Sequence, residues 1–209
     1  MPTSKLHIIL LLFLLVPSAV HADDLAQDIA RVQQAYSSYD DLAAGFTQTT
    51  RVKLLDKTIE RRGTLQLKRG GKLRIAYADP KEKRYISNGK ILWTDVPGDP
   101  GSLQSFDLDD RAVSKEALSF LHCFGNLRKE FRVTRSQAFN AVPKDFAALH
   151  LVPRSKRPAF RSLDALFNAK GELVQLVINN LSGNVSDYTF TDISTNTGLP
   201  EQLFTPVHE

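Results

Sequence analysis

From Gly63 onward the sequence alternates apolar and polar residues with a period of two, and turn-forming residues interrupt it at short intervals. That period sends successive side chains to opposite faces, so it dictates strands with one buried and one wet face. Gly63-Thr64-Leu65-Gln66-Leu67-Lys68-Arg69 leads into Gly70-Gly71 and then Leu73, Ile75 and Tyr77, which specifies a hairpin. Residues 83–87 and 90–95 flank Asn88-Gly89, a pair suited to the positive φ angles of a tight hairpin turn. The rhythm continues through residues 131–135, 147–152, 162–167, 173–178 and 185–193, with turns at 168–171 and 179–184. Consecutive strands joined by short turns predict an antiparallel meander.

Helical spacing occurs in two places. Over residues 24–39, Leu25, Ile29, Val32 and Tyr36 share one face and Gln27, Arg31 and Gln34 lie opposite. Over residues 114–124, Ser114 can cap a helix whose stripe is Leu118, Leu121 and Phe124, with Gly125 as its stop. Residues 96–101 hold two prolines and two glycines and are expected to form a loop. The fold class expected is mainly β (α+β). It is a single-domain incomplete antiparallel barrel, or strongly curved sheet, of about ten to eleven strands covered by two to three α-helices forming a lid.

The amino terminus bears on compartment. Lys5 precedes an apolar run from Leu6 to Val16 that is too short to span a bilayer, and Val20-His21-Ala22 suits signal peptidase. Residues 1–22 are therefore expected to be a cleaved signal peptide and residues 23–209 a single exported domain, located in the periplasm. Removing Lys5 leaves a formal charge one unit below the +4 of the whole chain, spread in small clusters without interleaved aromatic residues. Nucleic acid is excluded as a partner on both grounds. The sole cysteine, Cys123, lies far from the cleavage point and offers neither a lipid anchor nor an internal disulfide.

No catalytic constellation accompanies this pattern. His122, His150 and His208 form no metal-ligand spacing, and neither a nucleophile elbow nor a phosphate loop is present. Cys123 is adjacent to His122, but neighbouring helical side chains point about 100° apart, so the thiol is expected to be structural. Asp40-Asp41 and Asp109-Asp110 are expected in turns or caps. The chain is thus expected not to be an enzyme, and neither metal nor cofactor is implied.

One ordered series of short motifs resembles a known family. Phe46-Thr47-Gln48, Gly63-Thr64-Leu65, Lys68-Arg69, the segment from Leu73 to Tyr77, Asp79-Pro80, Ser87-Asn88-Gly89 and Leu92-Trp93 follow one another as in the LolA lipoprotein carriers. Tyr188-Thr189-Phe190, Asn196 and the segment Phe204 to Pro206 continue the likeness. Gly70 stands where that family usually has proline, and Ile75 where it has an aromatic residue.

The resemblance implies a monomeric periplasmic chaperone whose apolar interior receives the acyl chains of lipoproteins. An inner-membrane lipoprotein-releasing ABC transporter would be the donor and an outer-membrane receptor of LolB type the acceptor. It further implies that Arg69 closes the lid, and strand alternation puts Arg69 on the same inward face as Leu65 and Leu67. The acyl cavity would be lined by Leu65, Leu67, Leu73, Ile75 and Tyr77, with Leu118, Leu121 and Phe124 on a covering helix. Two alternatives remain open: a carrier of another amphiphile, such as a glycolipid or polyene lipid, and a sensor domain binding a membrane-anchored regulator.

Overall fold

The computed structural model describes residues 20–78, 83–108, 126–156, 158 and 160–206. Helix α1 covers Val20–Ser38, starting ahead of the expected cleavage point. Strands β1 (Asp41–Val52), β2 (Lys57–Lys68), β3 (Lys72–Tyr77), β4 (Lys83–Asn88), β5 (Ile91–Val96) and β6 (Asp99–Asp107) follow. A short helix, α2 (Leu127–Glu130), then leads into β7 (Phe131–Arg135), β8 (Ala147–Pro153), β9 (Ser162–Phe167), β10 (Leu173–Asn179) and β11 (Val185–Thr195). The expected helix over 114–124, with Leu118, Leu121 and Phe124, and the pair His122 and Cys123 lie outside the described residues.

All eleven strands form one antiparallel sheet in the order β6–β5–β4–β3–β2–β1–β11–β10–β9–β8–β7. Each neighbour pair joins consecutive strands except β1–β11, which brings the two ends of the meander together. The sheet is not closed, since β6 and β7 are its edges, and the result is an incomplete barrel with a helical lid. Register puts one set of side chains inward: Leu42, Ala44 and Phe46 of β1 stand beside Leu67, Leu65 and Gly63 of β2, and Leu73, Ile75 and Tyr77 of β3 continue those rows. On the other side of β1, Phe190 pairs with Phe46, and Tyr188 leads on to Leu176. These residues form one buried core with Leu149, Leu151, Leu163 and Phe167.

Helix α1 lays Ile29 and Val32, both buried, on that face, with Leu25 and Tyr36 partly buried beside them. Burial of each fully covered side chain stabilises by about 1.5–3 kcal/mol. The helix ends where the Ser37 and Ser38 hydroxyls turn back to donate to the Gln34 and Ala35 carbonyls.

The expected loop over residues 96–101 is corrected by the structure: β6 begins at Asp99, and the hairpin turn is confined to residues 97 and 98. Proline and glycine favour a loop, but β6 is an edge strand, where proline is tolerated. Ser102 closes this turn by accepting from the Val96 N–H at 2.7 Å.

Close approach also explains Gly63. A Cβ there would meet the Ala76 carbonyl oxygen at 2.4 Å and the Phe46 ring at 2.7 Å, because the ring lies directly over the glycine. Gly63→Ala is therefore expected to cost about 1–3 kcal/mol by overpacking. It would appear as a lowered urea midpoint with an unchanged m-value.

Candidate functional site

The inner face of the sheet is apolar and largely aromatic at its centre. The Phe46 ring lies 5.4 Å from Tyr77, 5.7 Å from Tyr188 and 6.5 Å from Phe190, centroid to centroid. Beneath α1, Tyr36 faces Leu42, Ala44, Leu65, Leu67, Leu173, Phe190 and Ile193 around a hollow of about 10 Å³, room for no more than one water. The space under this helix is thus nearly filled by the chain's own side chains, with α1 as the plug.

Polar contacts fasten this helix where it joins β1. The Arg69 Nε donates to Asp40 Oδ1 at 2.7 Å, its Nη2 donates to the Ser37 carbonyl, and its backbone N–H donates to the Asp40 carbonyl at 2.9 Å. Asn196 grips the opposite side: its Oδ1 accepts from the Asp40 N–H at 2.7 Å and its Nδ2 donates to the Ser38 carbonyl at 3.3 Å. Farther along the helix, Arg135 of β7 bonds Asp28, which also accepts from Arg31. These arginine pairs are half in water, so each contributes of order 1 kcal/mol or less.

Asp41 is a different kind of contact. It is 3 % exposed, and its carboxylate accepts from the Thr197 N–H and hydroxyl, the Gly198 N–H and the Leu199 N–H at 2.8–3.0 Å. Burial raises its pKa, but the donors from Leu199, Thr197 and Gly198 outweigh burial and hold it below the ordinary value of 3.8. At the same joint, burial pushes the Tyr39 phenol up and the nearby Glu172 charge adds to the shift. Lys72 and Lys68, hydrogen-bonded to Glu201, hold that carboxyl low and pin the carboxy-terminal turn to β2 and β3.

Leu65, Leu67, Leu73, Ile75 and Tyr77 are brought together on the inner face, as alternation required. Arg69 departs from the inward expectation. It lies just past the end of β2 in the turn, with 56 % of its side chain exposed, because its guanidinium reaches sideways to the α1–β1 joint. Asp41 departs from the expected turn or cap, since it opens β1 and anchors residues 197–199. Phe46, Leu173, Phe190 and Ile193 also line or floor the interior, and their strand alternation was the available signal. His150 bonds Asp164 at 2.8 Å, and Ser136 donates to the same carboxylate at 2.6 Å. Among the described residues, no group of three or more His, Cys, Asp or Glu could hold a metal ion.

A family model described as "Outer membrane lipoprotein carrier protein LolA" matches residues 37–207, which is most of the chain. The chain belongs to the LolA family. Within it, a protein of Nitrosospira multiformis named outer-membrane lipoprotein carrier protein is 22% identical over 204 residues, covering 98% of this chain and 94% of that one. A protein of the same name from Legionella pneumophila is 23% identical and covers 92% of each chain. Among solved structures, a DUF1329 family protein from Desulfovibrio piger aligns with a TM-score of 0.51 at 10% identity, covering 87% of this chain and 97% of that one. A LolA superfamily protein from Nitrosomonas europaea aligns with a TM-score of 0.49 at 13% identity, over the same shares of each chain. The match to the family model starts at Ser37, at the joint that Arg69 and Asn196 hold in this LolA-family chain.

The Asp41 carboxylate yields a pH-dependent expectation. Its folded pKa is depressed, so its stabilisation is present above the unfolded value and is lost as pH falls through the folded value. Asp41→Asn, which points an amide N–H₂ at N–H donors, is expected to cost about 1.5–3 kcal/mol at neutral pH. That deficit should shrink below pH 3.8, as read by chemical denaturation across pH.

Proposed function

We propose that this chain is a lipid-binding carrier of the periplasm that takes up the acyl chains of lipoproteins released from the inner membrane and delivers them to the outer membrane. The observation that carries this reading is that the apolar face of the sheet is covered by a helix held through small, water-accessible contacts. Ile29 and Val32 hold the helix on that face by burial alone, and the polar contacts that fix its end are weak enough to be exchanged when another apolar surface takes its place. Family membership and the names of the relatives point the same way.

In this reading α1 swings from the sheet when acyl chains compete for the surface that Ile29, Val32 and Tyr36 occupy. Each buried methylene is worth about 0.8 kcal/mol, so a long chain can replace what the helix surrenders. Arg69 acts as the closing latch through Asp40 and the Ser37 carbonyl, and Leu65, Leu67, Leu73, Ile75 and Tyr77 form the wall against which the chain lies. Residues 1–22 serve as the cleaved export signal. An inner-membrane lipoprotein-releasing transporter supplies cargo and a LolB-type receptor accepts it. No catalytic step is assigned to the chain.

The test is transfer between two membranes. Incubation with transporter-bearing vesicles should yield a soluble one-to-one complex with acylated lipoprotein. A folded protein that leaves every lipoprotein on the donor, or that copurifies with a lipid of another class, would overturn the cargo. Arg69→Leu is expected to keep stability within about 1 kcal/mol while slowing cargo release by about tenfold. Loading and release both unchanged would remove the latch.

A further inference from the structure

The motif Phe46-Thr47-Gln48 has so far supplied only its aromatic ring. Gln48 follows the inward alternation of β1 and is 5 % exposed, an amide next in the row after the apolar Leu42, Ala44 and Phe46. Its Nε2 donates to Thr50 Oγ1 at 2.9 Å, and Thr50 Oγ1 shares a hydrogen bond of 3.1 Å with Ser186, which is fully buried. The other end of the amide, Oε1, is buried and has no hydrogen-bond partner among the described residues. Leaving an acceptor bare in the interior is costly, and the great majority of buried polar atoms in proteins are satisfied.

The position of this bare oxygen is informative. Leu42, Ala44, Phe46 and Gln48 share the inner face of one strand, so Gln48 lies roughly 13 Å along β1 from Ala44, which lines the hollow beneath α1. Its cross-strand neighbours are Tyr188 and Arg61. Arg61 is exposed and extends its guanidinium over the Tyr77 ring, 5.6 Å from the centroid. Gln48 therefore stands one side chain from water, where the apolar face gives way to a cationic rim. An amphiphile whose chain ran along this face would have the joint between chain and head group at that boundary.

We infer that Gln48 is a specificity-determining contact that accepts a hydrogen bond from the linkage of a bound amphiphile, so the interior favours acyl chains joined through an amide N–H over chains joined through an ester. This rests on the reading that acyl chains occupy the interior, and goes beyond it by naming the linkage. An ester has two acceptors and no donor, and so leaves Oε1 bare. A secondary amide of the same length supplies the missing proton without changing the hydrocarbon.

The experiment compares two probes that differ only in the linking atom, N-palmitoylglycine and its ester counterpart O-palmitoylglycolic acid, in displacement of an environment-sensitive fatty-acyl dye. The wild-type chain is expected to bind the amide about tenfold more tightly than the ester, the worth of one good hydrogen bond at a buried acceptor. Gln48→Met keeps length and volume. It is expected to abolish the preference by weakening the amide alone, with a melting temperature equal to or above that of the wild type. Equal binding of the two probes by the wild type, as an ordered water on Oε1 would produce, overturns the inference. A preference that survives Gln48→Met overturns it as well. If neither probe displaces the dye from the wild type, the acyl-binding reading fails with it. The wild-type comparison decides the matter even should the variant fold poorly.

Discussion

The pairing of β1 with β11 is the constraint on which the rest of the molecule depends. Every other strand lies beside its neighbour in sequence, so local turns are enough to set those pairs. The β1–β11 ladder joins Leu42 to Thr195 and Arg51 to Val185, and it turns two separate meanders into one curved sheet. Closing so long a loop is entropically costly and slow, and it must be repaid by contacts made across the seam. The seam carries them: Phe46 meets Tyr188 and Phe190 on the inner face, and at its end the buried Asp41 carboxylate collects four hydrogen bonds from residues 197–199. The same turn continues to Phe204, which is buried.

A sheet built this way has an apolar inner face that its own strands cannot cover, because β6 and β7 stay apart as edges. Helix α1 covers part of it, which makes ligand entry an exchange of one apolar surface for another. Two fully and two partly buried side chains on α1 represent roughly 4–8 kcal/mol of burial that an incoming chain must replace. That amount corresponds to about five to ten methylenes, so short chains cannot hold the helix away and long ones can. In the proposed carrier, selectivity for chain length would follow from the cover itself.

Much of this is legible in the amino-acid sequence. Alternation and the Asn88-Gly89 turn gave β4 and β5 nearly their observed bounds, and the three-and-four spacing of Leu25, Ile29, Val32 and Tyr36 gave α1 and its buried face. Residues 57–62 carry no such alternation, because β2 extends beyond the end of β3, which pairs only from Gly63 onward, and most of its side chains there are exposed. Asp41 was opaque for another reason. Its partners lie more than a hundred and fifty residues away, and nothing local distinguishes a carboxylate that caps a helix from one that holds a remote loop. Arg69 was placed on the correct strand end but facing inward, since periodicity fails where a strand gives way to a turn.

In the proposed carrier, the strengths of the polar contacts around the α1–β1 joint would set where the helix parts from the sheet. Asp41 is buried and saturated by hydrogen bonds, so residues from Asp41 onward move with the sheet. Immediately before it, the Asp40 side chain is exposed and paired with Arg69 where water competes, although its backbone is held, the N–H donating to Asn196 Oδ1 at 2.7 Å and the carbonyl accepting from the Arg69 N–H at 2.9 Å. Ahead of it, the Ser37 and Ser38 carbonyls take single side-chain bonds from Arg69 and Asn196, so in the proposed carrier α1 would part from the sheet at Ser37 to Tyr39 rather than inside β1. In the proposed carrier, the order of these two adjacent aspartates, one wet and one buried, would separate the part of the molecule that holds its shape from the part that opens.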